Sequence, residues 1–213
     1  MSGRQAITAR SHHGFTLIEL TVVLAVIVTL ALVLTPSIAS FVNDSRSARA
    51  RSDCQTILSA IVQFYQDNGF FPSWKLAQAG GPGLAQNRVQ LLVSPGSIPQ
   101  EDQPGLWTTG IAGLLSEQLM NNVPGYSLRT PTSQFGWNGP YLSSEIIADP
   151  WGNRYIVNID LIDTSASAIG RGGMVKAAVW VLSAGPNRTI DTPFGQSILT
   201  AVLGNDDIGY RLQ

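Results

Sequence analysis

The sequence predicts an α+β fold, in which one long N-terminal helix packs on a small antiparallel β-sheet. Three observations carry that expectation. From Phe15 to Thr35 there is one charged residue, Glu19. Beyond Pro36, apolar residues recur at helical spacing as far as Asn68-Gly69. Later, Tyr155–Asp160 and Val175–Ser183 alternate as strands do, following the dense turn chemistry of Asp149-Pro150-Trp151-Gly152-Asn153.

The N-terminus comes first. Residues 1–14 (MSGRQAITARSHHG) are polar, with Arg4 and Arg10 and no acid. At about 1.5 Å per residue, a helix from Phe15 to Thr35 covers roughly the ~30 Å of bilayer hydrocarbon. An ordinary secretory signal is cut after its apolar region, beside small residues. Here the Gly14-Phe15 boundary precedes the apolar region. Glu19 is costly there, at about 2.5–3.5 kcal/mol at the bilayer centre and less near an end. A buried carboxylate needs a positive partner. A free α-amine on Phe15 supplies one, more readily on a neighbouring helix than on its own helix end. Glu19 then sets register as helices bundle, as a polar residue does in a coiled-coil seam; the alternative is a carboxylate that snorkels to the interface. Pro36 removes one backbone hydrogen bond and permits a kink. Arg46, Arg49 and Arg51 beyond the span rival the charge before it, so the positive-inside count is nearly balanced.

The helix continues over 37–68 as an amphipathic segment, with Cys54, Ile57, Leu58, Ile61, Phe64 and Tyr65 on one stripe. Asn68-Gly69 followed by Pro72 stops it. Residues 73–135 are rich in Gly, Pro, Gln and Ser and read as loops over the sheet, with one short helix at Leu106–Asn121. Trp74 and Trp107 read as packing anchors. Residues 136–213 hold the β region, with a mostly small and polar connection at Leu161–Gly173 and a terminal strand near Ile208–Leu212.

Composition excludes several functions. A formal net charge of −1 with 13% charged residues leaves no electrostatic footprint for nucleic acid. The single Cys54 forms no internal disulfide and reads as a passive helix position. His12 and His13 both precede Phe15, so the chain after that point has no histidine. Ser-His, Cys-His and metal-His chemistry are thereby removed, and nothing marks an acid-pair hydrolase.

The segment Gly14-Phe15-Thr16-Leu17-Ile18-Glu19 resembles the cleavage and methylation motif of type IV pilins and type II secretion pseudopilins. The resemblance implies a leader at 1–14, a cut after Gly14, N-methylation of Phe15, and Glu19 as the assembly carboxylate. Residues 15–36 become the transmembrane assembly segment and 37–213 a pilin-like globular domain in the periplasm. Pro36 matches a proline that these helices carry at similar depth.

Three later segments are similar to the major pseudopilins. They are Phe64–Pro72, the pair Gly136–Leu142 and Asp149–Tyr155, and Leu182–Asn187 with Asp206-Asp207-Ile208. Residues 73–135 and 192–204 are longer than that family's pattern. The last segment resembles the family's calcium loop and implies a Ca²⁺ ion held by Asn187, Asp191, Asp206 and Asp207; Asn187 stands where the pattern often has an acid. The alternative is that these four are solvated turn residues, since Asp and Asn favour loops. The implied function is structural, with no enzyme activity. The chain is cleaved, methylated and polymerised with itself into a periplasmic pseudopilus driving type II secretion. The partners are a prepilin peptidase/methyltransferase, the inner-membrane assembly machinery and minor pseudopilins, and the subunit is a single-pass inner-membrane protein before assembly. The alternative is a type IV pilus subunit, major or minor, serving adhesion, motility or DNA uptake.

Overall fold

The structure, a computed structural model, describes residues 14–73, 88–102, 105–162 and 177–212. Two compact units divide between Asp44 and Ser45. Helix α1 (Leu17–Asn68) contributes to both. In the first unit every described side chain from Phe15 to Thr35 is exposed. The stretch is long and apolar enough to cross a membrane. Its hydroxyls are satisfied within the helix: Thr21 donates to Ile18 O, Thr29 to Val26 O and Thr35 to Ala31 O, at 2.7–2.9 Å. Glu19 is therefore the polar group that stands out along this segment.

In the second unit α1 changes character. Ala50, Cys54, Ile57, Ile61, Phe64 and Asn68 are buried at i, i+4, i+7 spacing, while Tyr65 lies outside this stripe and is exposed. The helix ends because Gly69 adopts φ +77°, and its N–H donates to Tyr65 O at 2.8 Å. The Asn68 amide donates back to Phe64 O and across to the Tyr141 hydroxyl.

The sheet has the order β3-β1-β4-β5-β7. Its strands are β1 (Leu91–Val93), β3 (Ala112–Leu114), β4 (Ile156–Val157), β5 (Val179–Ser183) and β7 (Ile208–Leu212). Pairings β1–β4, β4–β5 and β5–β7 are antiparallel. The β1–β3 edge is parallel, so the sheet is mixed rather than wholly antiparallel. A second parallel pair joins β2 (Gln100–Glu101) to β6 (Thr189–Ile190).

Strand alternation splits the core in two. Leu92, Val157, Val179, Val181 and Leu212 face the α1 stripe. Leu91, Val93, Ile156, Trp180 and Leu182 face away, onto Trp107, Ile190, Phe194, Ala201 and Leu203. The sheet is thus covered on both faces: by helix on one, and by a layer of loop on the other.

Two expectations for 73–135 are corrected. Residues 88–119 supply two of the five strands, not just a covering loop. The expected Leu106–Asn121 helix is broken into α2 (Leu106–Thr109), β3 and α3 (Leu115–Leu119). Gly110 and Gly113 disfavour a continuous helix at this break, and Gly110 turns to extended ψ 152° after capping Leu106 O. Trp107 is fully buried, as a packing anchor should be. Trp74 and most of the Leu161–Gly173 connection lie outside the described residues.

Candidate functional sites: the helix head and the C-terminal loop

The helix head is built by Thr16 and Glu19. The Thr16 N–H and hydroxyl each donate to Glu19 Oε2 at 2.8 Å, and the Glu19 N–H donates to Thr16 Oγ1 at 3.3 Å. This is a reciprocal capping box, satisfying helix-start donors that no preceding turn can serve. Its Thr-x-x-Glu spacing is legible in the sequence, although the motif reading gave Thr16 no role. Gly14 and Phe15 precede the helix and are exposed. Pro36 sits within α1, which runs through it.

The C-terminal loop is built from three of the sequence's signatures. Phe64 stacks edge-to-face against Phe70, Tyr126, Trp137 and Tyr141 at 4.8–5.9 Å, so the segment ending α1 meets the Gly136–Leu142 segment. Asp149, almost wholly buried, accepts from Trp151 N and Asn153 N through Oδ1 and from the Ser183 hydroxyl through Oδ2. That carboxylate shapes its own turn and ties it to the start of the loop. Gly185 follows at φ +66°, where a Cβ would overlap the Asp206 carbonyl oxygen.

Beyond Gly185, Asn187 draws two acids together. Its N–H donates to Asp206 Oδ2 and its side-chain amide to Asp191 Oδ2, both at 2.9 Å. Asp207 turns the other way, into the protein. Its Oδ2 accepts from Asp191 N, Thr192 N and the Thr192 hydroxyl at 2.6–3.0 Å. Its Oδ1 is buried with no hydrogen-bond partner among the described residues. Burial pushes the Asp207 carboxyl up to about 6, outweighing these bonds, with the Asp191 charge adding to the rise. Among the described residues, no three His, Cys, Asp or Glu side chains gather as a metal-binding group. The oxygens at hand are therefore Asp191, Asp206, Asn187, the free Asp207 Oδ1 and the loop's own carbonyls.

Several residues hold this loop, among them Trp107, which the sequence marks as a packing anchor, and Asn158 and Gln196, which sequence reasoning passed over. The Trp107 indole donates to Thr192 O at 2.7 Å, and its ring meets Phe194 edge-on at 5.0 Å. Asn158 donates to Ala178 O and Phe194 O and accepts from Trp180 N. Gln196 clasps Val202 with both ends of its amide. No local pattern announces these long-range partners. Cys54 lies buried against Ile208 O, and burial pushes its thiol up and out of nucleophilic range.

The deciding observation is at the head: a basic segment, then Gly-Phe, then a capped helix whose first turns, as far as Thr35, carry no charge but Glu19. Residues 9–35 match the prokaryotic N-terminal methylation motif. No curated protein and no solved structure matches the chain. The methylation motif supports a type IV pilin-like precursor, processed by prepilin peptidase, and it implies polymerisation into filaments. Proteins with this motif are structural subunits rather than enzymes. The apolar helix is compatible with anchoring such a precursor in a membrane, and the α+β architecture is consistent with a pilin-like fold.

Proposed function

We propose that this pilin-like precursor is a pseudopilin of the major type, cut after Gly14, N-methylated at Phe15 and assembled into a periplasmic filament that drives type II secretion. The observation carrying this reading is that the three segments similar to major pseudopilins fold onto one another: Phe64 onto Trp137 and Tyr141, and Asp149 onto Ser183. They form one structural unit, as parts of a common subunit design should. On this reading the chain waits as a single-pass protein of the inner membrane, its globular unit in the periplasm. Glu19 meets the α-amine of a neighbouring copy, and Pro36 lets the helix bend as copies pack. Assembly exchanges lipid contact of the apolar helix for contact with other copies.

The same reading places a calcium ion in the C-terminal loop. Hard, oxygen-only donors suit Ca²⁺, and the unpartnered Asp207 Oδ1 is a buried oxygen that calls for a cation or water. Asn187, Asp191, Asp206 and Asp207 would hold it. No three of the described acidic side chains gather as they stand, so the ion would have to draw Asp207 toward Asp191 and Asp206, and it would supply charge compensation and loop rigidity. Calcium should raise the melting temperature over that in chelator, and Asp206→Asn should shrink the difference; equal melting with and without calcium sinks the metal.

The decisive experiment is intact mass and N-terminal peptide analysis from native membranes, with prepilin peptidase present and absent. A peptidase-dependent start at Phe15 carrying one added methyl supports the processing. A start at Met1 in both refutes it. Deleting the gene should then abolish secretion of exoproteins; retained secretion with loss of long surface filaments would reassign the chain to a pilus.

A further inference from the structure

We propose that Thr192 is a latch on Asp207: its hydroxyl holds that carboxylate against the protein, and Asp207 joins a calcium site only when the latch opens. This rests on the calcium reading above and names the residue that regulates that site. A hydroxyl has one proton to give, and that of Thr192 goes to Asp207 Oδ2 at 2.6 Å. The same Thr192 oxygen accepts from Gly204 N at 2.9 Å. One buried side chain thus ties two later points of the loop, Gly204 and Asp207, to the chain just after β6. The Asp191 and Thr192 N–H groups add bonds to Asp207 Oδ2 at 3.0 and 2.7 Å. Bonds to an ionised acceptor are roughly twice as strong as neutral ones.

Both sides of the latch are fixed in the backbone. On the Thr192 side, the Asp102 N–H donates to Ile190 O and the Trp107 indole to Thr192 O. On the Asp207 side, the next residue, Ile208, pairs with Ser183, and the Asp207 N–H donates to Gly204 O at 3.0 Å. Gly204 lies so close to Asp191 that a Cβ there would overlap the Asp191 carbonyl carbon. Side-chain rotation is therefore the freedom left to the Asp207 carboxylate. Thr192 opens 192–204 and Trp107 belongs to 73–135, the two stretches longer than the major-pseudopilin pattern. The latch is built from this chain's own additions.

Asn187 already brings Asp191 and Asp206 together. Asp207 is the third carboxylate, and the latch turns it away from them. Yet the latched arrangement is incompletely satisfied. Asp207 is only 6% exposed, and its Oδ1 is buried with no partner among the described residues. A buried oxygen in that condition gains from a cation. The carboxylate is thus held by one oxygen and drawn outward by the other. Apparent calcium affinity is then lowered by the fraction of molecules in which the latch is closed.

The test uses the full chain in detergent with calcium chloride as the probe, reading calcium affinity by calorimetry and melting temperature in chelator. Thr192→Val removes the hydroxyl at nearly constant shape. It should melt lower in chelator and bind calcium about tenfold more tightly, because one charge-assisted hydrogen bond no longer has to break. Thr192→Ser, which keeps the hydroxyl, should restore both values. A merely structural Thr192 would lower the melting temperature without tightening calcium binding. A second measurement needs no variant: on calcium addition to the unaltered chain, the Thr192 amide, whose acceptor is Asp207 Oδ2, should exchange its hydrogen faster. With calcium bound by the unaltered chain, unchanged or weaker binding by Thr192→Val overturns the latch. So does a Thr192 amide that stays protected at saturating calcium. If neither the unaltered chain nor Thr192→Val binds calcium, the calcium reading itself fails, and the latch with it.

Discussion

Asp149 is the residue whose loss should reveal how the C-terminal loop is held. Its carboxylate accepts three hydrogen bonds, from Trp151 N at 3.0 Å, Asn153 N at 2.8 Å and the Ser183 hydroxyl at 2.6 Å. Asp149→Ala removes both acceptor oxygens and with them all three bonds. The Asn153 N–H and the Ser183 hydroxyl are buried, so each orphan costs about 1–3 kcal/mol. The Trp151 N–H is half-buried and recovers some of its loss from water. The sum is about 3–6 kcal/mol, against a total stability of about 5–15 kcal/mol for a domain. Asp149→Asn keeps one carbonyl oxygen for the two N–H groups and places an amide opposite Ser183 Oγ, which accepts it. Its cost should be about 1–2 kcal/mol.

The assay is urea denaturation of the full chain in detergent, followed by tryptophan fluorescence, with Ser183→Ala completing a double-mutant cycle. Asp149 and Ser183 share one hydrogen bond, so the two changes should couple by about 1 kcal/mol or more. Equal midpoints for Asp149→Ala and Asp149→Asn would refute the hydrogen-bond accounting. Simple additivity with Ser183→Ala would refute the link between turn and loop.

Trp107→Phe should cost about 1–3 kcal/mol more than Trp180→Phe, because the Trp107 indole N–H serves Thr192 O while that of Trp180 has no partner among the described residues; equal urea midpoints would count against the loop anchor. Asp207, pushed up to about 6, binds its proton more tightly folded than unfolded. Its contribution is thus greatest below about pH 4 and is lost as pH rises through 6. In chelator, the melting temperature should fall across that window, Asp207→Asn should flatten the fall, and an unchanged slope in that variant would reassign the effect. Gly185→Ala should destabilise sharply, since a Cβ there meets Asp206 O at positive φ, whereas Gly195→Ala, with nothing within 4 Å, should leave the midpoint within about 0.5 kcal/mol of the unaltered chain.

What the sequence made legible was whatever has a period or a fixed local spacing. The long helix is read almost to its ends, because its apolar segment and its buried stripe both run for many turns. Strands β5 and β7 are likewise read near their observed positions. The strands β1 and β3 are not, because three residues such as Leu91–Val93, buried on both faces, show no alternation. Their parallel pairing needs knowledge of where Ala112 lies, which no local pattern holds. The loop layer is illegible for a related reason: Phe194, Ala201 and Leu203 contribute to a core at irregular spacing. Of the candidate site, the head motif is plain. The inward turn of Asp207 is not, since Asp206-Asp207 reads as solvated turn and only the pairing of Ile208 with Ser183 decides which carboxylate faces the protein.

The capping box gives Glu19 a sharper role in the assembly reading. Both Thr16 donors fall on Oε2, and Oε1 accepts nothing among the described residues. One oxygen of the carboxylate therefore fixes the side chain's direction, while the other stays free for a cation. The nearby hydroxyl of Thr21 is spent on Ile18 O of its own helix, so it offers Glu19 no competing partner. In lipid, a half-satisfied carboxylate near a helix end is tolerable but costly. An amine from a second copy lowers that cost without dismantling the cap. On the proposed assembly reading, this cap holds Glu19 at a fixed height on the helix, which is what registering one copy against the next requires.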